Sequence, residues 1–370
     1  MKLSETKVYN LSRFDKNIST AELLEKSGYI KQIQSGLYVQ MNLMKRVINN
    51  IERIVMNELN DLGCLEIGLN QIQSADTWKE TGRYDSYGSE MFKLKDRSNK
   101  EMIISGTNEE LVTMVAKDYV KSYKDLSFTF YQINNKFRDE IRCSGGLFRC
   151  KEFSMMDAYS FHRNCEELAK YYENMRDCYI RIFDKLGLKY RIEKADSGEI
   201  GGSISEEFIV ETSDGEIEIG HIFQLDTKYT SKLDATFIDN DNIKKDIYMG
   251  CYGIGITRLA QVLADIGRKG DCFNFAENIS AFQYGVIVGN INNVEQMEAA
   301  KLIYDNIKNK GYSVYLDDRD LRIGQKLNEI DTIGTSNKIL IGNNIKDGIY
   351  ETKKLSNDTW VKTTLIKELV

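Results

Sequence analysis

Two stretches of this chain set arginine beside groups that can hold a nucleotide. Phe137-Arg138-Asp139-Glu140 is followed by a polar loop, Cys143-Ser144-Gly145-Gly146, and then by Arg149 and Lys151-Glu152-Phe153. Two strands joined by such a loop put Arg138 and Glu140 on one face, because strand side chains alternate with period two. There Arg138 can grip a phosphate and Glu140 can accept from an amino group. The same pair also reads as a cross-strand ion pair on a solvated sheet. The second stretch, Gly250-Cys251-Tyr252-Gly253-Ile254-Gly255-Ile256-Thr257-Arg258, leads into a helical run. Its GxGxxR pattern has the form of a phosphate-binding turn. It lacks the lysine of a P-loop, and Gly253 and Gly255 also read as glycines that permit close helix packing.

Such residues need a scaffold. Ser19-Thr20-Ala21-Glu22 has the form of a capping box for a short helix ending near Gly28. Leu43, Val47, Ile51, Ile54, Val55, Leu59 and Leu62 recur at helical spacing, with Asn42 as cap and Gly63 as stop. A strand-like run follows at 65–69. Further helices are expected at 108–123 and from Asn164 to Leu186-Gly187. Strands are expected at 128–133, 147–153, 207–211 and 216–219. Past residue 280 the order is strand (284–288), helix (294–310), strand (313–316), helix (324–333), strand (339–341). That alternation predicts a small α/β domain with a mostly parallel sheet. The expected boundary lies in the polar stretch 274–281 and divides 1–277 from 278–370.

Composition narrows the class. At 370 residues, two domains are the natural expectation. A net charge of -6 gives no global pull toward nucleic acid, so DNA is not an expected partner and any RNA contact must come from a local basic surface. The N-terminus MKLSETKVYN lacks an apolar leader core, and no run reaches the ~18 apolar residues of a membrane span, so a cytoplasmic protein without membrane contact is expected. The seven cysteines include no CxxC pair, and two histidines, His162 and His221, exclude a His-rich metal site.

Taken together, the stretches resemble the class II aminoacyl-tRNA synthetases, and among them the bacterial-type prolyl-tRNA synthetases. SGLYVQMNLMKRVINNIERIVMNELNDLG with LEIGLNQIQSADTW is similar to motif 1, the dimer-interface helix and strand. NKFRDEIRCSGGLFRCKEF is similar to motif 2 and GCYGIGITRL to motif 3. MMDAYSFH, GGSISEEF and EIGHIFQLDTKYT follow the family's other signatures in the same order. The resemblance implies an α+β fold: an antiparallel-sheet catalytic domain, then a small α/β anticodon-binding domain. It implies a homodimer that joins L-proline to tRNA(Pro) with ATP and Mg2+. Arg138 would hold the α-phosphate and the amino-acid carboxylate, and Arg258 the γ-phosphate; these two are the expected catalytic residues. Glu140 would read adenine, Phe153 would stack on it, and Arg149, Gln224 and Thr227 would complete the ATP site. Glu218 would contact magnesium. Thr107 and Glu109 would receive proline's cationic amine, with Arg138, Met155, Asp157, Tyr159, His221 and Gly253 around the ring. For Met155 a place in the core is an equal reading.

The chain contains no proline, against an average usage of about 5 %. Positions where the family carries proline hold Asn70, Ser89, Gly106, Cys143 and Ile323, and Thr335-Ser336 follow Gly334 without it. Three further departures lie near the expected site: Met156 for a lysine, Glu206 for a histidine and Asp226 for a glycine. Only Ser213 to Ile217 separate Thr212 from Glu218, where many relatives insert an editing domain. The favoured reading is an active synthetase whose own synthesis needs no charged tRNA(Pro). Alternatives are a paralogue that acylates a non-tRNA acceptor, a non-catalytic regulator sensing tRNA or proline, and a chain redesigned by hand to a reduced alphabet.

Overall fold

The alternating apolar runs become the strands of one sheet. In the computed structural model, which describes residues 1–6, 17–354, 357 and 359–364, they are β1 (Leu65–Glu66), β2 (Phe128–Phe137), β3 (Glu152–His162), β4 (Arg191–Lys194), β5 (Ile204–Thr212), β6 (Gly215–Asp226) and β7 (Tyr248–Ile254). Their spatial order is β1-β2-β3-β7-β6-β5-β4. Every neighbouring pair is antiparallel except β1 with β2. This sheet belongs to a compact unit made of Gln34–Tyr38 and Glu52–Val262; the other unit comprises Met1–Ile33, Val39–Ile51 and Leu263–Val370.

Period-two alternation gives the sheet two chemically different faces. Register places Lys136, Phe153, Met155, Asp157, Gly253, Cys251, His221 and Phe223 on one side, and Met156, Ala158, Tyr252, Gly220 and Ile222 on the other. The second side is covered by a helix, Cys165–Lys185. Asn164 caps its start by accepting from the Glu167 amide at 2.9 Å, Glu166 and Glu167 lie in its first turn, and Lys185 lies in its last. A Cβ on Gly220 would stand 3.0 Å from Tyr179 and Phe183 of this helix, so glycine there sets the close approach. The first side is half filled by the helix Glu109–Tyr119, whose Val112 and Ala116 pack with Tyr159, Phe161, Phe223 and Met249. The rest of that face stays open.

Several expected elements have other bounds in the structure, β5 and β6 among them, both longer than expected. β1 ends at Glu66; the Ile67 amide still bonds the Tyr131 carbonyl, but Leu69 gives its amide to the Gln132 side chain. The helix expected at 108–123 stops at Tyr119, and Ser122 caps a separate short turn, Tyr123–Asp125. β2 runs on to Phe137. The strand expected at 147–153 starts only at Glu152, because Gly145 and Gly146 both take left-handed φ (65° and 68°) and lead into a single 3-10 turn, Gly146–Phe148.

In the other unit, β8 (Tyr284–Val288) pairs in parallel with β9 (Val314–Asp317) and with β10 (Asn337–Ile341). The helices Val294–Asn309 and Ile323–Thr332 connect them, as the alternation predicts. Two further strands, β11 (Ile349–Lys354) and β12 (Val361–Thr364), extend the sheet antiparallel, so it is mixed rather than mostly parallel. Among the described residues no helix is long and apolar enough to cross a membrane.

Candidate active site

On the open face of the seven-stranded sheet lies a cavity of about 190 Å³. Its lining includes Thr107, Glu109, Arg138, Glu140, Arg149, Phe153, Met155, Asp157, Glu218, His221, Gly253 and Arg258, which the sequence reading singled out. Three others stand elsewhere. Gln224 alternates with Phe223 and so points away from the cavity side. Thr227 lies in the turn beyond β6, outside the lining. Tyr159 sits one layer behind the wall, donating its hydroxyl proton to Asp157 Oδ2 at 2.9 Å and accepting from the Asn108 amide at 3.0 Å.

Arg138 and Glu140 do reach the same cavity, but not by the pleat of a strand. β2 has ended at Phe137, and the Glu140 amide folds back onto the Arg138 carbonyl at 2.7 Å. The Arg138 guanidinium lies 5.4 Å from the Phe153 ring centre, gives Nη2 to the Gly106 carbonyl at 3.3 Å, and leaves Nε without a hydrogen-bond partner in a buried position. An unsatisfied buried donor costs about 1–3 kcal/mol, so this one is built to meet an acceptor. Arg149 Nε stands 3.8 Å from Glu140. On the helix that follows β7, Ile256–Ile266, Arg258 is held through Nε to the Phe148 carbonyl at 3.0 Å and through Nη1 to the Glu218 carbonyl at 2.8 Å.

A second group of side chains makes an anionic floor. Glu109 is fully buried, and its two oxygens accept from the Thr107 hydroxyl at 2.8 Å while Oε1 accepts from the Cys251 thiol at 3.3 Å. Burial pushes its acidity down, but Arg83 and the Thr107 and Cys251 donors outweigh burial and hold the carboxyl below its ordinary pKa. Asp157 accepts from Asn108, Gln132 and Tyr159 and pairs with Lys136 at 2.6 Å. Sequence reading passed over Cys251, Lys136 and Arg83. The first two were legible, since Cys251 is two residues from Gly253 on β7 and Lys136 lies directly across from Phe153. Arg83, from a short segment remote in sequence, carries no such signal.

Glu207, Glu218 and His221 bring ligand atoms within 4.8 Å of one another. A bulge in β6 is responsible: Phe208 pairs with Gly220 and Ile209 with Glu218, so Ile219 is skipped and Glu218 turns to the same side as His221. Burial, joined by repulsion from Glu218, raises the Glu207 carboxyl. Burial pushes His221 down to about 4, and the ring stacks on Phe223 at 3.8 Å. Two carboxylates converging on one point suit a hard cation with oxygen ligands.

The three departures all lie off the cavity. Met156 is fully buried on the covered side of the sheet. Glu206 faces that side too, accepting from Tyr172 at 3.0 Å and pairing with Arg176 at 3.3 Å. Asp226 follows a second bulge with φ of 53° and is not part of the lining.

Comparison with known proteins matches residues 92–266 to the tRNA synthetase class II core domain (G, H, P, S and T) and 283–369 to an anticodon binding domain. The chain is 36 % identical over 384 residues to the proline--tRNA ligase of Ehrlichia canis, covering 90 % of each. It is 34 % identical over 419 residues to that of Anaplasma marginale, covering 99 % of this chain and 98 % of the other. Among solved structures it is similar to Giardia lamblia prolyl-tRNA synthetase in complex with prolyl-adenylate, with TM-score 0.86 and 19 % identity over 97 % of this chain and 77 % of that one.

Proposed function

The chain belongs to the proline--tRNA ligases, class II aminoacyl-tRNA synthetases, and from that premise we propose that the cavity on the open face of the sheet is where proline is activated. The activity is ATP-dependent attachment of proline to tRNA. A carboxylate oxygen of proline attacks the α-phosphorus of ATP, the bond to the β-phosphate oxygen breaks, and pyrophosphate leaves. A ribose hydroxyl of the tRNA then attacks the carbonyl carbon of the adenylate, and AMP leaves.

The observation that carries this reading is the pairing of two opposite charges across one small cavity. Arg138, with an unpartnered buried Nε, faces Glu109, a buried carboxylate whose charge is held. A zwitterionic amino acid fits between them, amine on Glu109 and Thr107, carboxylate on Arg138. Met155 and Gly253 floor the ring; a Cβ on Gly253 would stand 3.9 Å from Met155 Sδ and project into the space the ring takes. Arg138 then bridges the carboxylate and the α-phosphate, and neutralises the charge that builds between them during attack. Phe153 stacks on adenine, Glu140 accepts from its amino group, Arg149 lies along the phosphates, and Arg258 takes the γ-phosphate. Glu218, with Glu207 beside it, would hold Mg2+, whose charge offsets that of the phosphates. His221 keeps its ring neutral at the edge of the amino-acid site.

The domain assignment we favour is a catalytic module at 1–277 and an anticodon-binding module at 278–370, working as a cytoplasmic homodimer on tRNA(Pro). The test is proline-dependent exchange of pyrophosphate into ATP. Wild-type enzyme exchanges. Arg138→Ala loses roughly 10²–10³-fold in rate, the scale of removing one charge-stabilising donor. Exchange that survives Arg138→Ala unchanged would move the phosphate site elsewhere.

A further inference from the structure

Behind Glu109, outside the cavity lining, lies a fully enclosed arginine. Arg83 opens a four-residue helix, Arg83–Ser86, after Gly82 turns the chain with a left-handed φ of 81°. Its Nη1 donates to Glu109 Oε2 at 3.0 Å and to both oxygens of Glu110 at 3.1 Å. Nε and Nη2 have no oxygen partner. The guanidinium lies 4.8 Å from the Trp78 ring, 5.4 Å from Tyr87 and 5.3 Å from Tyr229. One cation thus serves two buried carboxylates, and three aromatic faces close it off from water.

We propose that Arg83 is a positioning residue for the substrate's amine: it keeps the Glu109 carboxylate charged and turned to the cavity, while Glu110 shares the same guanidinium from the far side. The proposal rests on the reading of Glu109 as the amine's acceptor. Three features support it. First, two adjacent buried carboxylates repel, and without a cation at least one must take up a proton. Second, the pair is not symmetric. Glu109 has Thr107 and Cys251 as further donors and is held below its ordinary pKa. Glu110, raised by burial and by the charge of Glu109, has the Thr81 hydroxyl and its own backbone amide besides Arg83. The asymmetry favours charge on Glu109, the carboxylate that lines the cavity, and any proton of the pair on Glu110. Third, Arg83 has no route to the substrate, since Glu109 stands between them.

Every other charged or titratable group facing Glu109 is accounted for. Tyr159 on β3, Cys251 on β7 and Tyr229 beyond β6 are each pushed up by burial and stay neutral near pH 7. Arg138 and Lys228 add positive potential, and Asp157 is balanced by Lys136. Removing the Arg83 charge therefore leaves Glu110 as the neighbour that decides whether Glu109 is ionised.

The test compares Arg83→Gln, Arg83→Lys and Glu109→Gln with wild type in the exchange assay between pH 6 and 8. Arg83→Gln should raise KM for proline roughly tenfold or more, the scale of losing a charged hydrogen-bond partner, and leave KM for ATP within about threefold. Its kcat/KM for proline should fall as the pH drops, because Glu109 now protonates in that range. Arg83→Lys restores the charge and should return both the KM and the flat profile toward wild type. If Glu109→Gln raises the proline KM and Arg83→Gln does not, the proposal is wrong and the amine site stands. If Glu109→Gln has no effect, the amine site itself is wrong. A measurement on wild type covers the case in which Arg83→Gln does not fold. Calorimetry of proline binding at pH 6.5, in two buffers of different ionisation enthalpy, should find no net proton release. Release of one proton would mean that Glu109 is neutral in the free enzyme, and would overturn the proposal.

Discussion

At the residue scale, the site is a set of charges whose partners are fixed before any substrate arrives. Arg258 is tied to two carbonyl oxygens, Glu109 to three donors, and Asp157 to four groups. Such preorganisation lowers the reorganisation needed when charge develops. Asp226 shows the opposite case, a charge that looks threatening in sequence and is placed out of reach. It replaces a glycine of the family, and its backbone accordingly keeps a positive φ, a conformation aspartate tolerates better than most residues. Asp226→Asn should therefore leave KM for ATP within about twofold, since a half-buried charge outside the cavity lining is still partly screened by water. Steady-state kinetics at varied ATP would show it, and a tenfold fall in that KM would put Asp226 back beside the phosphates. The motif residues were readable because each stands in a stretch that resembles a family signature. Arg83 was not, because a buried arginine and a surface arginine are spelled alike, and only the fold brings it to Glu109.

At the scale of elements, alternation decided most of what could be read. Met155, Asp157 and Tyr159, expected together around the ring, do share one face because β3 is regular, though Tyr159 stands one layer behind the wall. Gln224, placed at the ATP site by resemblance, neighbours Phe223 on β6 and by the same alternation faces the other way. Glu218 and His221, three apart, share a face only because of the bulge at Ile219, which no period announces. The β5–β6 hairpin closes through Ser213-Asp214, with the Thr212 hydroxyl bonding the Gly215 carbonyl at 2.8 Å and accepting from the Asp214 amide at 3.2 Å. This two-residue turn stands where many relatives insert an editing domain. The purified enzyme should hydrolyse alanyl-tRNA(Pro) no faster than the buffer does. Rapid deacylation in a filter-binding time course would mean that hydrolysis occurs somewhere else on the chain.

At the scale of the whole molecule, the absence of proline is a cost spread over many turns. Ile323 shows it most plainly. It is the first residue of the helix Ile323–Thr332, the position where proline's fixed φ and missing N–H do least harm. The preceding residue, Arg322, already has the extended conformation (φ -64°, ψ 142°) that a following proline demands, and makes no side-chain cap. Ile323→Pro should thus stabilise the folded state by about 0.4–1 kcal/mol, mainly by restricting the unfolded chain, and urea unfolding would measure it. A stabilising substitution left unused at so permissive a site points to a constraint other than folding. If that constraint is independence from the enzyme's own product, the two chains must part company during synthesis. In a reconstituted translation system depleted of prolyl-tRNA(Pro), the wild-type chain should be completed, whereas Ile323→Pro should stop after Arg322. In cells whose charged tRNA(Pro) is exhausted, wild-type enzyme should go on accumulating and restore charging, and the more stable Ile323→Pro enzyme should not. Equal recovery by both would detach the missing proline from the enzyme's supply and leave the composition without a functional cause.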